Sequence, residues 1–272
     1  MPTDLDLDAY LRRIGWAGSL APDMATLQRL ASHHAAAIPF ENLSPLLGVP
    51  APLDLGSLQA KLVTGGRGGY CFEQNTLFAE VLRRVGFTVT RLAARVLWGR
   101  PDDMLGPRSH TLLKIDLHDG PAIADVGFGG LTLTGALRLE ADVEQATPHE
   151  AFRLLKPDED WRLQAQVRGE WRSLYRFDLQ PQHHVDYEVA NWYVASHPAS
   201  HFLHHLIAAR ALPGRRLALL DRDFAVHPLH GDTERRTLAG VDEAIEVLRR
   251  DFGIVVPHEQ ALRERLAKLW ST

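Results

Sequence analysis

The chain of 272 residues contains one cysteine, Cys71. A single thiol cannot form an internal disulfide, so nothing in the sequence requires an oxidising compartment. The first six residues are acidic and lack the basic and apolar segments of a secretory signal. No apolar run approaches the roughly 18 residues that a membrane-spanning helix needs. We therefore expect a cytoplasmic protein that does not associate with membranes.

The sequence also lacks an excess of either charge. Its 30 Lys and Arg residues oppose 34 Asp and Glu residues, the formal net charge is -4, and no long block carries one sign. Nucleic acid is therefore not an expected partner. Hydrophobic residues make up 45% of the chain and charged residues 24%, as in ordinary globular proteins. A chain of this length can bury a core without disulfides or structural metals.

Hydrophobic periodicity divides the chain into three parts. The first third has helical spacing, the middle third has short β-rich segments separated by turns, and the last third is mixed. We predict an α+β fold with domains over residues 1–86, 87–185 and 186–272, the second being an antiparallel sheet or small barrel. Helices are predicted over residues 4–14, 22–37, 55–63, 71–85, 185–194, 200–211, 241–252 and 259–270. Strands are predicted over residues 87–98, 111–117, 123–126, 152–155, 161–167, 171–177, 217–226 and 234–238.

Cys71 lies where a glycine-rich loop, residues 65–69, meets the start of a predicted helix. Unpaired N–H groups and the positive end of the helix dipole favour a thiolate there, and the thiolate is the nucleophilic form. The glycines allow a substrate to approach the backbone closely. The alternative is that Cys71 is a small buried core residue, as most free cysteines are.

A cysteine nucleophile usually needs a histidine base and a third group that orients the histidine. His110 opens one predicted strand and Asp125 follows the next. A two-residue turn at Asp119-Gly120 would place Asp125 opposite Lys114, about 13 Å along the strand from His110. Contact between His110 and Asp125 therefore predicts a longer loop, over about residues 116–119, or a bulge. A local structural role for each residue is the alternative.

Several segments together resemble the arylamine N-acetyltransferases. They occur in the order found in that family and span residues 10 to about 202. The cysteine segment is the most specific of them. The matching segments are residues 10–15 (YLRRIG), 38–43 (IPFENL), 67–75 (RGGYCFEQN), 109–111 (SHT), 125–129 (DVGFG), 191–194 (NWYV) and 200–202 (SHF).

The resemblance implies an N-terminal helical bundle, a central antiparallel β-barrel and a C-terminal α/β lid. It also implies a papain- and transglutaminase-like triad in which Cys71 is the nucleophile, His110 the base and Asp125 the orienting acid. The implied reaction transfers an acetyl group from acetyl-CoA to an arylamine or arylhydrazine through an acetyl-cysteine. The residues implied to line the substrate and cofactor pocket are Phe40, Val96, Phe128, Gly129, Gly130 and Phe202.

Two other functions remain open at this point. A cysteine hydrolase, either amidase or peptidase, would use the same triad with water as the acceptor, and a non-catalytic binding module could retain the fold. We expect no metal. His201, His204 and His205 have helical spacing, but no cysteine pair or nearby carboxylates complete a zinc site.

Overall fold

The computed structural model describes residues 4–271. The first three residues of the acidic N-terminal segment, and residue 272, lie outside that range. The fold is α+β, as predicted: an N-terminal helical region, a nearly closed antiparallel barrel and a C-terminal α/β region. Among the described residues, no helix combines the length and the apolar character that crossing a bilayer requires.

Eight α-helices are described, and most of them match predicted segments. The predicted helix over residues 55–63 is a short α-helix that continues as a π-helical turn, Gln59–Thr64. The α-helices are α1 (Leu7–Arg13), α2 (Met24–Ala37), α3 (Leu43–Leu46), α4 (Leu55–Leu58), α5 (Cys71–Val85), α6 (His184–Ser196), α7 (Val241–Arg250) and α8 (Glu259–Trp270).

The strands form two antiparallel sheets. The first third of the chain contributes one short strand, which the sequence did not predict. The strands are β1 (Phe40–Glu41), β2 (Thr88–Val96), β3 (His110–Leu117), β4 (Gly120–Ala124), β5 (Ala136–Arg138), β6 (Glu144–Gln145), β7 (Phe152–Leu155), β8 (Trp161–Val167), β9 (Glu170–Phe177), β10 (Ile207–Leu212), β11 (Arg215–Leu220), β12 (Asp223–Pro228) and β13 (Glu234–Thr237).

Helix α5 is buried along most of its length and packs against β2 and β3. It ends at Gly86, whose φ of 110° lies in the left-handed region that glycine adopts at low steric cost. Phe78 of α5 shares a hydrophobic core with Leu113 and Ile115 of β3. The helix that begins at Cys71 and the strand that begins at His110 are therefore parts of one packed unit.

The larger sheet has eight strands in the order β5-β4-β3-β2-β9-β8-β7-β6. Its two edge strands are joined by the side-chain amide of Gln145. The Arg138 N–H donates to Gln145 Oε1 at 2.7 Å, and Gln145 Nε2 donates to the Arg138 carbonyl at 3.0 Å. These bonds satisfy backbone groups that an open edge would expose, so the barrel is nearly closed.

The smaller sheet has the order β1-β10-β11-β12-β13. The predicted helix over residues 200–211 is wrong: only His201–Leu203 forms a short 3₁₀ turn, and β10 follows. Pairing with β1 on one side and β11 on the other stabilises β10 as a strand. These partners are distant in the sequence, so local spacing did not indicate them. His201, His204 and His205 consequently do not share a helix.

Asn42 joins the N-terminal region to the C-terminal sheet. Its buried side chain donates from Nδ2 to the carbonyls of Phe202 at 2.9 Å and His205 at 2.7 Å, and its Oδ1 accepts from the Ile207 N–H at 2.8 Å. One amide thus satisfies three backbone groups of the segment that leads into β10. This connection fixes Phe40 beside Phe202, whose ring centroids are 6.0 Å apart.

We predict that Asn42→Ala lowers the free energy of unfolding by about 2–4 kcal/mol, because it leaves two carbonyls and one N–H without their partner. Chemical denaturation followed by tryptophan fluorescence would measure the change. Gln180→Ala removes an exposed amide and serves as the control, with an expected change within about 0.5 kcal/mol. Equal stability of the two variants would contradict the role given to Asn42.

Candidate active site

Cys71 is the first residue of α5, and only 5% of its surface is exposed. The loop before it is held by two side chains of the same helix. Glu73 Oε2 accepts from the Tyr70 N–H at 3.2 Å, and Gln74 Nε2 donates to the Gly69 carbonyl at 2.7 Å. A Cβ on Gly68 would lie 2.1 Å from the Pro39 carbonyl oxygen, a backbone atom, so this close approach requires glycine. The glycine loop therefore fixes the thiol at the helix N-terminus.

The loop of the hairpin that carries His110 and Asp125 is shorter than predicted. Leu117 pairs with Gly120 across a two-residue turn, and the ladder runs without a bulge to its last pair, Leu113 and Ala124. The prediction of a longer loop or a bulge is therefore wrong. Asp125 lies just beyond the ladder, diagonally across from His110, and diagonal neighbours on one face of a sheet remain within reach of long side chains. His110 Nε2 lies 2.7 Å from Asp125 Oδ2.

Asp125 is fully buried, and donors from two parts of the chain satisfy it. Its Oδ1 accepts from Asn75 Nδ2 and from the Gly127 N–H, both at 2.9 Å. Burial alone would raise the pKa of Asp125, but the charge of His110 and these hydrogen bonds lower it below the usual value. Asp125 is therefore an anion at neutral pH.

Asn75 also belongs to this site, although the sequence did not predict its contact with Asp125. It also donates to the Thr111 carbonyl at 2.7 Å and accepts from the Val126 N–H at 3.0 Å. Asn75 is four residues after Cys71 in α5, and this spacing places two side chains on one helix face. The spacing of four residues between Cys71 and Asn75 was the feature of the sequence that could have indicated a shared site. The helix that presents the thiol thus also anchors the carboxylate.

His110 is also buried, with 3% of its surface exposed. Burial lowers the pKa of His110, but the charge and hydrogen bond of Asp125, together with the neighbouring Cys71, outweigh burial and raise the pKa to about 10. His110 is consequently an imidazolium at neutral pH. Because Nε2 faces Asp125, the other ring nitrogen, Nδ1, is left for the thiol.

Two aromatic rings pack against the imidazole of His110. The ring centroid of Phe128 lies 5.1 Å away and that of Tyr175 lies 4.9 Å away. Burial, followed by the charge of Asp125, raises the pKa of Tyr175 well above its usual value, so its hydroxyl stays protonated. The sequence predicts only a strand at Tyr175, because the proximity of Tyr175 to His110 depends on the pairing of β9 with β2.

Cys71 and His110 open onto a cavity of about 1930 Å³. Asp125 lies behind His110 and does not line this cavity. A Cβ on Gly127 would lie 2.7 Å from the Cys71 Cα, so this wall also requires glycine. The six predicted pocket residues all line the cavity: Phe40, Val96, Phe128, Gly129, Gly130 and Phe202.

In the part of the chain that the structure describes, no set of side chains is assembled as metal ligands. No three His, Cys, Asp or Glu side chains of residues 4–271 are grouped as metal ligands. His204 Nε2 lies 2.7 Å from the Pro198 carbonyl, whereas His205 Nδ1 lies 2.6 Å from Asp221 Oδ2. The side chains at the cavity, a thiol and an imidazolium backed by a carboxylate, are suited to acyl transfer through a thioester.

Comparison with known proteins gives a consistent result. A family model described as N-acetyltransferase matches residues 23–261. An arylamine N-acetyltransferase of Mycolicibacterium smegmatis is 45% identical over 254 residues, which cover 92% of each chain. The Escherichia coli K12 enzyme of the same name is 44% identical over 251 residues, which cover 92% of this chain and 89% of the relative.

Solved structures show the same relationship. The arylamine N-acetyltransferase of Mycobacterium marinum superposes with a TM-score of 0.94 at 41% identity, covering 97% of this chain and 99% of the other. The same enzyme in complex with CoA gives a TM-score of 0.93 at 41% identity and the same coverage. The resemblance drawn from the sequence motifs is confirmed: the chain belongs to the arylamine N-acetyltransferase family of acyltransferases.

Proposed function

We propose that the protein transfers the acetyl group of acetyl-CoA to the nitrogen of an arylamine or arylhydrazine, through an acetyl-Cys71 intermediate. The observation that carries the proposal is that Cys71 and His110 open onto the same cavity while the buried Asp125 holds His110 from behind. One nucleophile in one cavity suits two substrates that enter in turn, as in a ping-pong mechanism. The names of the relatives, and the neighbour solved with CoA, support both substrates.

In the first half-reaction, the Cys71 thiolate attacks the thioester carbonyl of acetyl-CoA. The backbone N–H of Cys71, at the start of α5, is a candidate donor to the oxyanion that forms. As the tetrahedral intermediate collapses, the bond from carbon to the CoA sulfur breaks, and the His110 imidazolium protonates the departing thiolate. The products are free CoA, an acetyl thioester on Cys71 and a neutral His110.

In the second half-reaction, the amine nitrogen attacks the acetyl carbon of acetyl-Cys71. Neutral His110 takes the proton that the nitrogen loses, and the Cys71 thiolate leaves. The acetylated amine departs, and the thiolate and imidazolium are restored. Asp125 keeps Nε2 of His110 in one hydrogen bond throughout, so Nδ1 faces the reacting atoms in both halves.

Apolar side chains around the thiol favour an amine over water as the acceptor. Phe40, Phe128 and Phe202 line the cavity with Val96, and the thiol itself is almost inaccessible to solvent. Excluding water from an acyl-enzyme suppresses its hydrolysis. A hydrolase with the same triad would instead need an ordered water beside His110.

We expect incubation with acetyl-CoA and no amine to add one acetyl group to the protein. Intact-mass spectrometry would measure the adduct, which should disappear in Cys71→Ala and discharge when an arylamine is added. Continued CoA release without amine would indicate the hydrolase, and absence of both adduct and turnover would contradict the proposed function.

We expect Asp125→Asn to lower the pKa of His110, because burial then acts without an opposing carboxylate. In the native protein the raised pKa, about 10, keeps His110 charged at pH 7, whereas the variant should lose this charge as the pH approaches neutrality. Alkylation of Cys71 by iodoacetamide at pH 7 should therefore slow about tenfold, because a neutral His110 no longer stabilises the nucleophilic thiolate.

The control for this experiment is Asp116→Asn, an exposed carboxylate on the same hairpin that is paired with Lys114. It should leave the alkylation profile between pH 5 and pH 11 unchanged. Identical profiles for native protein and Asp125→Asn would contradict the assigned role of Asp125.

A further inference from the structure

Lys61 contacts both ends of the glycine-rich loop that precedes the nucleophile. Its carbonyl accepts from the Arg67 N–H at 3.2 Å, and its ammonium Nζ donates to Glu73 Oε1 at 2.6 Å. The other oxygen of that carboxylate accepts from the Tyr70 N–H at 3.2 Å. Lys61 lies outside the cavity wall, so any effect it has on the reaction passes through other residues. It connects the turn before the loop with the first turn of α5, where Cys71 lies.

The ion pair between Lys61 and Glu73 is buried. The side chain of Glu73 is 1% exposed and that of Lys61 is 16% exposed. A second buried carboxylate, Glu41, lies 4.0 Å from Lys61 Nζ and is paired with Arg67 at 2.6 Å. Two cations therefore balance two carboxylates behind the loop. Because an uncompensated buried charge is strongly destabilising, loss of Lys61 would leave Glu73 without the cation that balances it.

The charged and titratable groups around Glu73 indicate how that loss would depend on pH. Burial raises the pKa of Glu73, the charge of Lys61 opposes this rise, and the charge of Glu41 adds to it. The Cys71 thiol and the Tyr70 phenol also lie close, and burial followed by the charge of Glu73 raises the pKa of Tyr70 well above its usual value. Without Lys61, the pKa of Glu73 would rise further. Glu73 would then be neutral at low pH and a buried, unpaired anion at high pH.

The backbone around Lys61 gives an independent indication. Lys61 lies in the π-helical turn Gln59–Thr64, a rare geometry that occurs frequently at functional sites. A Cβ on Gly65 would lie 2.6 Å from the Ala60 carbonyl oxygen and 2.9 Å from that of Lys61, so the turn must end in glycine. The first glycine of the loop is therefore required by the turn that presents Lys61.

We propose that Lys61 is a positioning residue for the nucleophile. Its ammonium holds the Glu73 carboxylate on the Tyr70 N–H, and this bond fixes the end of the loop and the first turn of α5, so that Cys71 stays in place beside His110. The inference rests on the proposed function only in taking Cys71 as the nucleophile. Lys61 itself touches neither substrate.

The test follows acetylation of Cys71 by 4-nitrophenyl acetate, an ester donor that lacks CoA, between pH 6 and pH 9. We expect the rate for Lys61→Met to be within about twofold of the native rate at pH 6 and about tenfold below it at pH 9. The loss grows with pH because the unpaired Glu73 gives up its proton and its turn shifts to relieve the buried charge. Intact-mass spectrometry would measure the rate.

The double variant Lys61→Met/Glu73→Gln should follow the native rate at every pH. A Gln side chain still accepts from the Tyr70 N–H, and it needs no cation because it is neutral. Lys61→Arg keeps the cation and should also lack the pH-dependent loss. If Lys61 served only to pack its methylene chain, the loss would be constant with pH and would persist in the double variant, and that result would overturn the inference.

Lys114→Met is the matched control. It makes the same substitution at a lysine of β3 that is paired with Asp116 and lies outside the cavity wall, so its rate relative to native should not vary with pH. An equally flat ratio for Lys61→Met would contradict the positioning role. A native protein that takes acetyl from the ester but not from acetyl-CoA would instead refute the proposed function and leave the role of Lys61 standing.

Discussion

The hydrogen bond between Asn75 and Asp125 is the contact on which the arrangement of the site depends. Asn75 belongs to the helix that starts with Cys71, and Asp125 follows the strand that pairs with the strand of His110. The same amide also binds the backbone at Thr111 of β3 and at Val126, two residues beyond the end of β4. One side chain therefore fixes the distance between helix α5 and the hairpin, and with it the position of the thiol relative to the imidazole.

Burying this pair of charges is costly, and the surrounding structure shows how the cost is offset. Asp125 is fully buried and His110 nearly so, and an isolated ion at either position would be strongly destabilised. Asp125 therefore has two neutral donors in addition to His110, and each stabilises its charged form. The charge of Asp125 in turn keeps His110 protonated despite burial. Each charge therefore lowers the cost of burying the other.

The sequence predicted most of what depends on local pattern. The glycine loop and the start of α5 identified Cys71, and the alternation of short strands identified the barrel, because loops, caps and strand periodicity are local properties. The sequence failed where distant partners decide the structure. Ile207–Leu212 is a strand because β1 and β11 lie beside it, and Tyr175 approaches His110 only through the pairing of β9 with β2.

The wrong prediction for the loop between β3 and β4 has a different physical origin. The prediction assumed that His110 and Asp125 had to be directly opposite, and so required a loop longer than the two residues observed. A carboxylate just beyond the end of a ladder is free of the backbone pairing that fixes its neighbours, and it can reach a histidine diagonally across the sheet face. Contact between side chains therefore constrains strand register less tightly than contact between backbones does.

The chemistry and the binding cavity are built by different parts of the fold. Asn75 of α5, His110 and the Gly127 N–H in the loop after β4 form hydrogen bonds with the Asp125 carboxylate, so the triad and these partners lie in the helical region and the barrel. The C-terminal region supplies Phe202 and His227 to the cavity instead, and Asn42 joins the start of that region to β1. The reactive groups are therefore fixed by the first two regions, and residues of all three regions line the cavity through which molecules reach them.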